Sequence, residues 1–131
     1  MKYRVIDAQK KLAEAYGVDS RRARTLKVAA AVTISGEKVS VTSIAANAFK
    51  GMKKLEKVTI GTNVSKIGKN AFSGDSKLKS IQIKSKKLTS VGKGALKNIS
   101  AKAVIKVPKS KKKAYTSLLK GKGQKKSVKI K

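Results

Sequence analysis

Cysteine and histidine are both absent from this chain. Without thiols there is no disulfide and no thiolate nucleophile. Without imidazole the commonest general base and the commonest metal ligand are missing. Acidic residues are scarce, and Asp7, Glu14, Asp19, Glu37, Glu56 and Asp75 are the full set. They are scattered, with no pair spaced for acid–base work. Glu56 and Asp75 flank turns or strands and are expected to pair with nearby lysines. The stretch "GKGQKK" holds Gly-Lys but lacks the first glycine and the Ser/Thr of a phosphate-binding loop. The reading is a protein that is not an enzyme, with no catalytic residue, no metal ligands and no cofactor.

Aromatic residues number five: Tyr3, Tyr16, Phe49, Phe72 and Tyr115. A core must therefore rest on Val, Ile, Leu and Ala. No apolar run approaches the ~20 residues needed to cross a bilayer. No signal peptide is visible, and "MKYRVID" enters directly into strand-like sequence. The expectation is an excised domain of a longer protein.

Lysine is in excess. The net charge is +28, with 30 Lys against four Arg, and every Arg lies before residue 25. From residue 76 onward there are 19 Lys and no acid. Such a field attracts polyanions and repels cations. Specific phosphate or base readout leans on the arginine fork, so a lysine surface points to diffuse attraction. A merely solubilising coat is the alternative.

The stretch "TSIAANAFKGMKKLEKVTI" at 42–60 returns, little changed, as "SKIGKNAFSGDSKLKSIQI" at 65–83. Three copies align: 41–63, 64–87 and a weaker 88–110. A period of 23 to 24 residues fits stacked repeat units that bury their apolar faces against one another. Leu55-x-x-Val58-x-Ile60 and Leu78-x-x-Ile81-x-Ile83 end in period-2 alternation, a short strand with one face inward. "VTSI", "VSKI" and "LTSV" read as a second extended segment on the opposite side. "ANAFKG", "KNAFSG" and "KGALKN" read as single helical turns, with Phe49, Phe72 and Leu96 as an interior ladder. Gly51, Gly74 and Asn98 follow these turns and tolerate a left-handed backbone.

The phrase I-G-x-x-A-F-x-G-x-x-x-L-x-x-[VI]-x-I resembles the BspA-type, or Treponema-type, leucine-rich repeat of bacterial surface proteins. The resemblance covers roughly residues 25 to 110. Ala45 stands where Gly68 and Gly92 stand in the other copies, and Lys102 replaces the apolar Leu55 and Leu78. The third copy is therefore expected to be a terminal coil with altered packing. The resemblance implies a β-rich α+β solenoid: a short right-handed leucine-rich-repeat stack with parallel strands and single helical turns. It also implies a secreted or cell-surface bacterial module acting in adhesion.

A single domain is expected over 1–131. Residues 1–40 read as an N-terminal β cap with a hairpin turn at "SGEK", and 41–110 as three repeat coils. Residues 111–131 read as a C-terminal capping helix and strand. In that helix Ala114, Leu118 and Tyr115 are expected to face inward. A disordered basic tail is the rival reading of 109–131.

The outward positions of the repeat strands offer a binding row: Lys27, Thr59, Gln82 and Lys106, flanked by Lys57 and Lys84. Lys86, Lys87, Lys109, Lys111, Lys112 and Lys113 lie beside it as candidate polyanion contacts. Outward strand positions are polar in any case, and lysine runs are usually just solvated. The partners implied are proteins or anionic polymers at a cell surface, such as teichoic acid or a sulfated glycan. Nucleic acid is admitted by charge alone, without specificity. A monomer is the expectation.

Overall fold

The computed structural model describes residues 1–131. The strands are β1 (Lys2–Asp7), β2 (Leu12–Gly17), β3 (Thr25–Val28), β4 (Ala31–Ile34), β5 (Glu37–Ile44) and β6 (Lys57–Ile60). They continue as β7 (Lys66–Ile67), β8 (Ser80–Ile83), β9 (Ser90–Val91), β10 (Val104–Lys106) and β11 (Lys129–Ile130). One α-helix, α1 (Lys112–Leu119), follows a 3-10 turn at Lys109–Lys111.

The chain winds between two sheets. The first runs β1-β2-β5-β7-β9, with β4 also paired to β5; the second runs β11-β10-β8-β6-β3. Each turn of the winding adds a strand to each sheet, and successive turns pair in parallel. The result is a β-solenoid. Residues 12–28 lack the repeat phrase, yet β2 and β3 pair in parallel with β5 and β6. This segment therefore supplies a turn of the stack. β1 lies antiparallel on β2. β4 and β5 form a hairpin through Ser35 and Gly36, whose φ values of 51° and 80° suit a two-residue turn.

The core follows the repeat. In the second sheet Leu26, Val58, Ile81 and Ile105 occupy one register position on successive strands and are buried. Ile130 continues this column on β11. Each such burial contributes about 1.5–3 kcal/mol before chain entropy is counted. Phe49 and Phe72 stack at 5.5 Å between centroids, and Leu96 is buried in the next turn.

The segments read as single helical turns are tight turns closed by i→i+3 bonds, such as Lys50 N to Asn47 O and Ser73 N to Asn70 O. Gly51, Gly74 and Asn98 have φ of 72°, 81° and 59°, as expected from sequence. A second left-handed column, unforeseen, precedes it at Asn47, Asn70 and Gly94. The corners are also hydrogen-bonded from turn to turn: Phe49 N donates to Ala71 O at 2.9 Å, and Phe72 N to Ala95 O at 3.0 Å. Lys102 is exposed, with Ile99 and Ala103 buried near it.

Residues 109–131 are folded over the end of the stack. The inward residues of α1 are Tyr115 and Leu119, an i, i+4 pair, while Ala114 is exposed and Leu118 half-buried. Of the residues expected to face inward, Tyr115 does so, whereas Leu119 takes the place of Ala114 and Leu118. Tyr115 Oη donates to Ser85 O at 2.7 Å and accepts from Leu88 N at 3.0 Å. Ser85 Oγ in turn donates to Val64 O at 2.6 Å. This chain of bonds fixes the 84–88 loop. Tyr115→Phe leaves a buried N–H and a buried carbonyl without this partner, so a loss of about 1–3 kcal/mol is expected. Denaturant unfolding followed by circular dichroism measures it.

Candidate binding face

The outward residues of the second sheet alternate with the buried column. Parallel register places Lys27 beside Thr59, Thr59 beside Gln82, and Gln82 beside Lys106. Neighbouring strands lie about 4.8 Å apart, so Lys27 and Lys106 sit about 14 Å apart along the row. Lys131 stands one step beyond β11's paired residues and extends the same row, with its N–H bonded to Ile105 O at 2.8 Å. Lys57 lies in a parallel row with Ser80 and Val104.

Two shallow hollows of about 320 Å³ each open beside the row. Gln82, Lys84, Lys86 and Lys106 line one; Lys27, Thr59, Thr62 and Lys84 line the other. Lys84 borders both. The structure thus brings Lys27, Thr59, Gln82, Lys84, Lys86 and Lys106 to one surface. Lys57 and Lys87 line neither hollow, and Lys87 Nζ donates to Asn63 Oδ1 at 3.3 Å. Lys109, Lys111, Lys112 and Lys113 belong to the 3-10 turn and the start of α1, outside both hollows.

The charge of the last turns is almost uncompensated. Of the 19 lysines from residue 76 onward, Lys79 alone lies within ion-pair distance of a carboxylate, at 3.3 Å from Glu56. The other close pairs are Arg4–Glu14, Lys11–Glu37 and the Met1 amine with Asp19, all near the first turns. Phe49, Phe72 and Tyr115 are buried, so they offer no stacking platform to bases.

Asp75 departs from the expectation of a lysine pair. It is fully buried, and its Oδ1 accepts the Met52 N–H at 2.7 Å. Its Oδ2 has no hydrogen-bond partner. Burial pushes the carboxyl from its ordinary 3.8 up to about 7, against the opposing pull of the Met52 N–H, Arg21 and Lys53. The signal was available in the repeat, because Asp75 precedes Leu78 by three residues, as Met52 precedes Leu55. That column is apolar at Met52 and Ile99, both buried.

The family model for the BspA type leucine rich repeat region matches residues 30–131, in six copies. The chain belongs to the BspA-type leucine-rich repeat family. Its solenoid is similar to that of a leucine rich cell surface protein from Faecalibacterium prausnitzii A2-165, with TM-score 0.64 and 20% identity over 80% of this chain and 34% of that one. It is also similar to a leucine-rich repeat protein from Bacteroides ovatus, with TM-score 0.61 and 22% identity over 79% of this chain and 35% of that one. A leucine rich repeat protein of T. pallidum matches with TM-score 0.54 and 15% identity, over 82% of this chain and 68% of that one. This BspA-type chain spans about a third of the length of the first two. A search of curated proteins found no match.

Proposed function

We propose that this BspA-type domain is a non-catalytic binding module of a bacterial cell surface, which holds anionic ligands on the outer face of its second sheet. The observation that carries the reading is the convergence of Lys27, Lys84, Lys86 and Lys106 around two adjoining hollows, with Thr59 and Gln82 between them as neutral hydrogen-bonding groups. Family membership supports a binding scaffold, and the F. prausnitzii protein is described as a cell surface protein. The row stands on hydrogen-bonded strands, so little side-chain-bearing backbone has to be ordered on binding.

Anionic wall polymers and sulfated glycans fit this face better than nucleic acid. Lysine is a compact point charge that attracts phosphate or sulfate without reading bases. All four arginines lie before residue 25. The test is binding to immobilised teichoic acid, heparin, DNA and matrix proteins at low and high salt. Affinity for the first two is expected to fall steeply with salt, at about 0.7–0.9 log units per log unit of salt for each anion neutralised. The pair Lys84→Glu with Lys106→Glu is expected to weaken binding and flatten that slope. The same reversals at exposed Lys69 and Lys93, which line neither hollow, serve as the control. Equal losses from both pairs would make the charge diffuse and remove the face as a site. Salt-resistant capture of one matrix protein would instead give the row an adhesive role.

A further inference from the structure

The outer face of the second sheet is cationic at its margin and neutral at its centre. The outward residues of β8 are Ser80 and Gln82, in a strand bracketed by Lys79 and Lys84. Register sets Ser80 between Lys57 and Val104, and Gln82 between Thr59 and Lys106. Thr59, Ser80, Gln82 and Val104 thus form one uncharged patch, although 19 of the residues from 76 onward are lysines. Lys27, Lys57, Lys84, Lys86 and Lys106 stand around it. Lys57 and Lys106 are two strands apart, about 10 Å across the sheet. The patch also keeps its hydrogen-bonding groups free. On the first sheet Ser65 Oγ donates to Thr42 O and Thr89 Oγ1 to Ser65 O, each at 3.2 Å. The side chains of Thr59, Ser80 and Gln82 make no such bond within the protein, and Thr59 and Gln82 border the two hollows.

We infer that this face selects an acidic polysaccharide, one whose carboxylates or sulfates are separated by neutral sugars, over a polymer charged at every unit. The inference rests on the sheet face being the binding surface and names the class of its ligand. The anions of such a chain meet the marginal lysines, while its hydroxyls meet Thr59, Ser80 and Gln82. Val104, half-buried, offers an apolar surface to the C–H side of a sugar ring. A polyphosphate lays consecutive charges across the same patch. Those over Thr59, Ser80 and Gln82 lose hydration without gaining a cation. The neutral centre therefore rejects dense charge as well as accepting hydroxyls.

The probes are a hyaluronan oligosaccharide, with one carboxylate per disaccharide, and an inorganic polyphosphate of matched total charge, both fluorescein-labelled and followed by anisotropy from low to high salt. Affinity for polyphosphate is expected to vanish at high salt, whereas the glycan keeps a salt-independent remainder. Thr59→Val with Gln82→Met removes hydrogen-bonding groups and keeps the charge. This pair is expected to weaken glycan binding about tenfold, the equivalent of one or two well-made hydrogen bonds, with the salt slope unchanged. Polyphosphate binding is expected to stay as it was. Lys84→Glu with Lys106→Glu is expected to weaken both ligands. If the lysine pair weakens neither, the face is not the binding surface, and the proposed function falls together with this inference. If it weakens both while Thr59→Val with Gln82→Met spares the glycan, or weakens the two polymers alike, the face holds anions without selecting sugars and this inference alone is overturned. A parent protein that binds polyphosphate and no glycan overturns it too.

Discussion

Gly92→Ala is expected to destabilise the domain by about 3 kcal/mol or more, near the upper end of the range for overpacking. An added Cβ at Gly92 would lie 2.3 Å from Lys69 N and 2.7 Å from Gly68 C. At Gly68 it would lie 2.4 Å from Ala46 N and 2.6 Å from Ala45 C. These neighbours are backbone atoms of the turn before, so they cannot rotate away as a side chain would. They are also tied: Gly68 N donates to Ile44 O and Gly92 N to Ile67 O, each at 2.8 Å. Relief requires the turns to separate, which lengthens these bonds and those of the corners beside them. Position 45 carries alanine in the same column, and the turn before it, which runs from β2 to β3 through residues 18–24, lacks the corner motif. Ala45→Gly is therefore expected to cost no more than about 1 kcal/mol, the backbone entropy of a glycine. Guanidinium unfolding of the two variants distinguishes the cases. Equal midpoints would mean that close approach of successive turns does not govern this stack.

That glycine column shows why so much of the fold was legible. A solenoid repeats its interior, so each position meets a copy of itself one turn away. Phe49, Phe72 and Leu96 announced a ladder, and Leu55-x-x-Val58 announced which strand face turns in. The register of Lys27, Thr59, Gln82 and Lys106 followed from the same alternation. The hollows did not, since Lys84 and Lys86 lie past the end of β8 where alternation no longer speaks. Residues 12–28 gave no sign of their parallel pairing, because backbone ladders need no particular phrase and this turn lacks the corner motif. In α1 the run "KKAYTSLL" fits two apolar faces one residue apart. The tie was decided by Tyr115, whose hydroxyl has partners only when turned inward.

Asp75 was misread because a carboxylate beside a turn looks like surface, and only its column says otherwise. Its burial makes stability depend on pH in an unusual direction. The folded carboxyl titrates near 7 and the unfolded one near 3.8, so the native state holds its proton more tightly. Below pH 3.8 both states are protonated and the group contributes no difference. Between there and about 7 the unfolded chain ionises first, and stability falls by about 1.4 kcal/mol per pH unit. Above 7 both are ionised, and the loss levels off at up to about 4 kcal/mol, the cost of a buried charge. Arg21 and Lys53 face this charge and reduce the cost, as does the Met52 N–H. Arg21 also donates to the Lys50 carbonyl, which holds it over the same corner. Asp75→Asn keeps an acceptor for Met52 N and loses the titration. It is expected to be the more stable form at pH 8 and to approach the parent as pH falls to 4. The difference between the two unfolding curves across pH isolates this residue from every other carboxylate. A flat difference would mean that solvent reaches Asp75. A difference rising toward acid would mean that Arg21 or Lys53 pairs with it and outweighs burial.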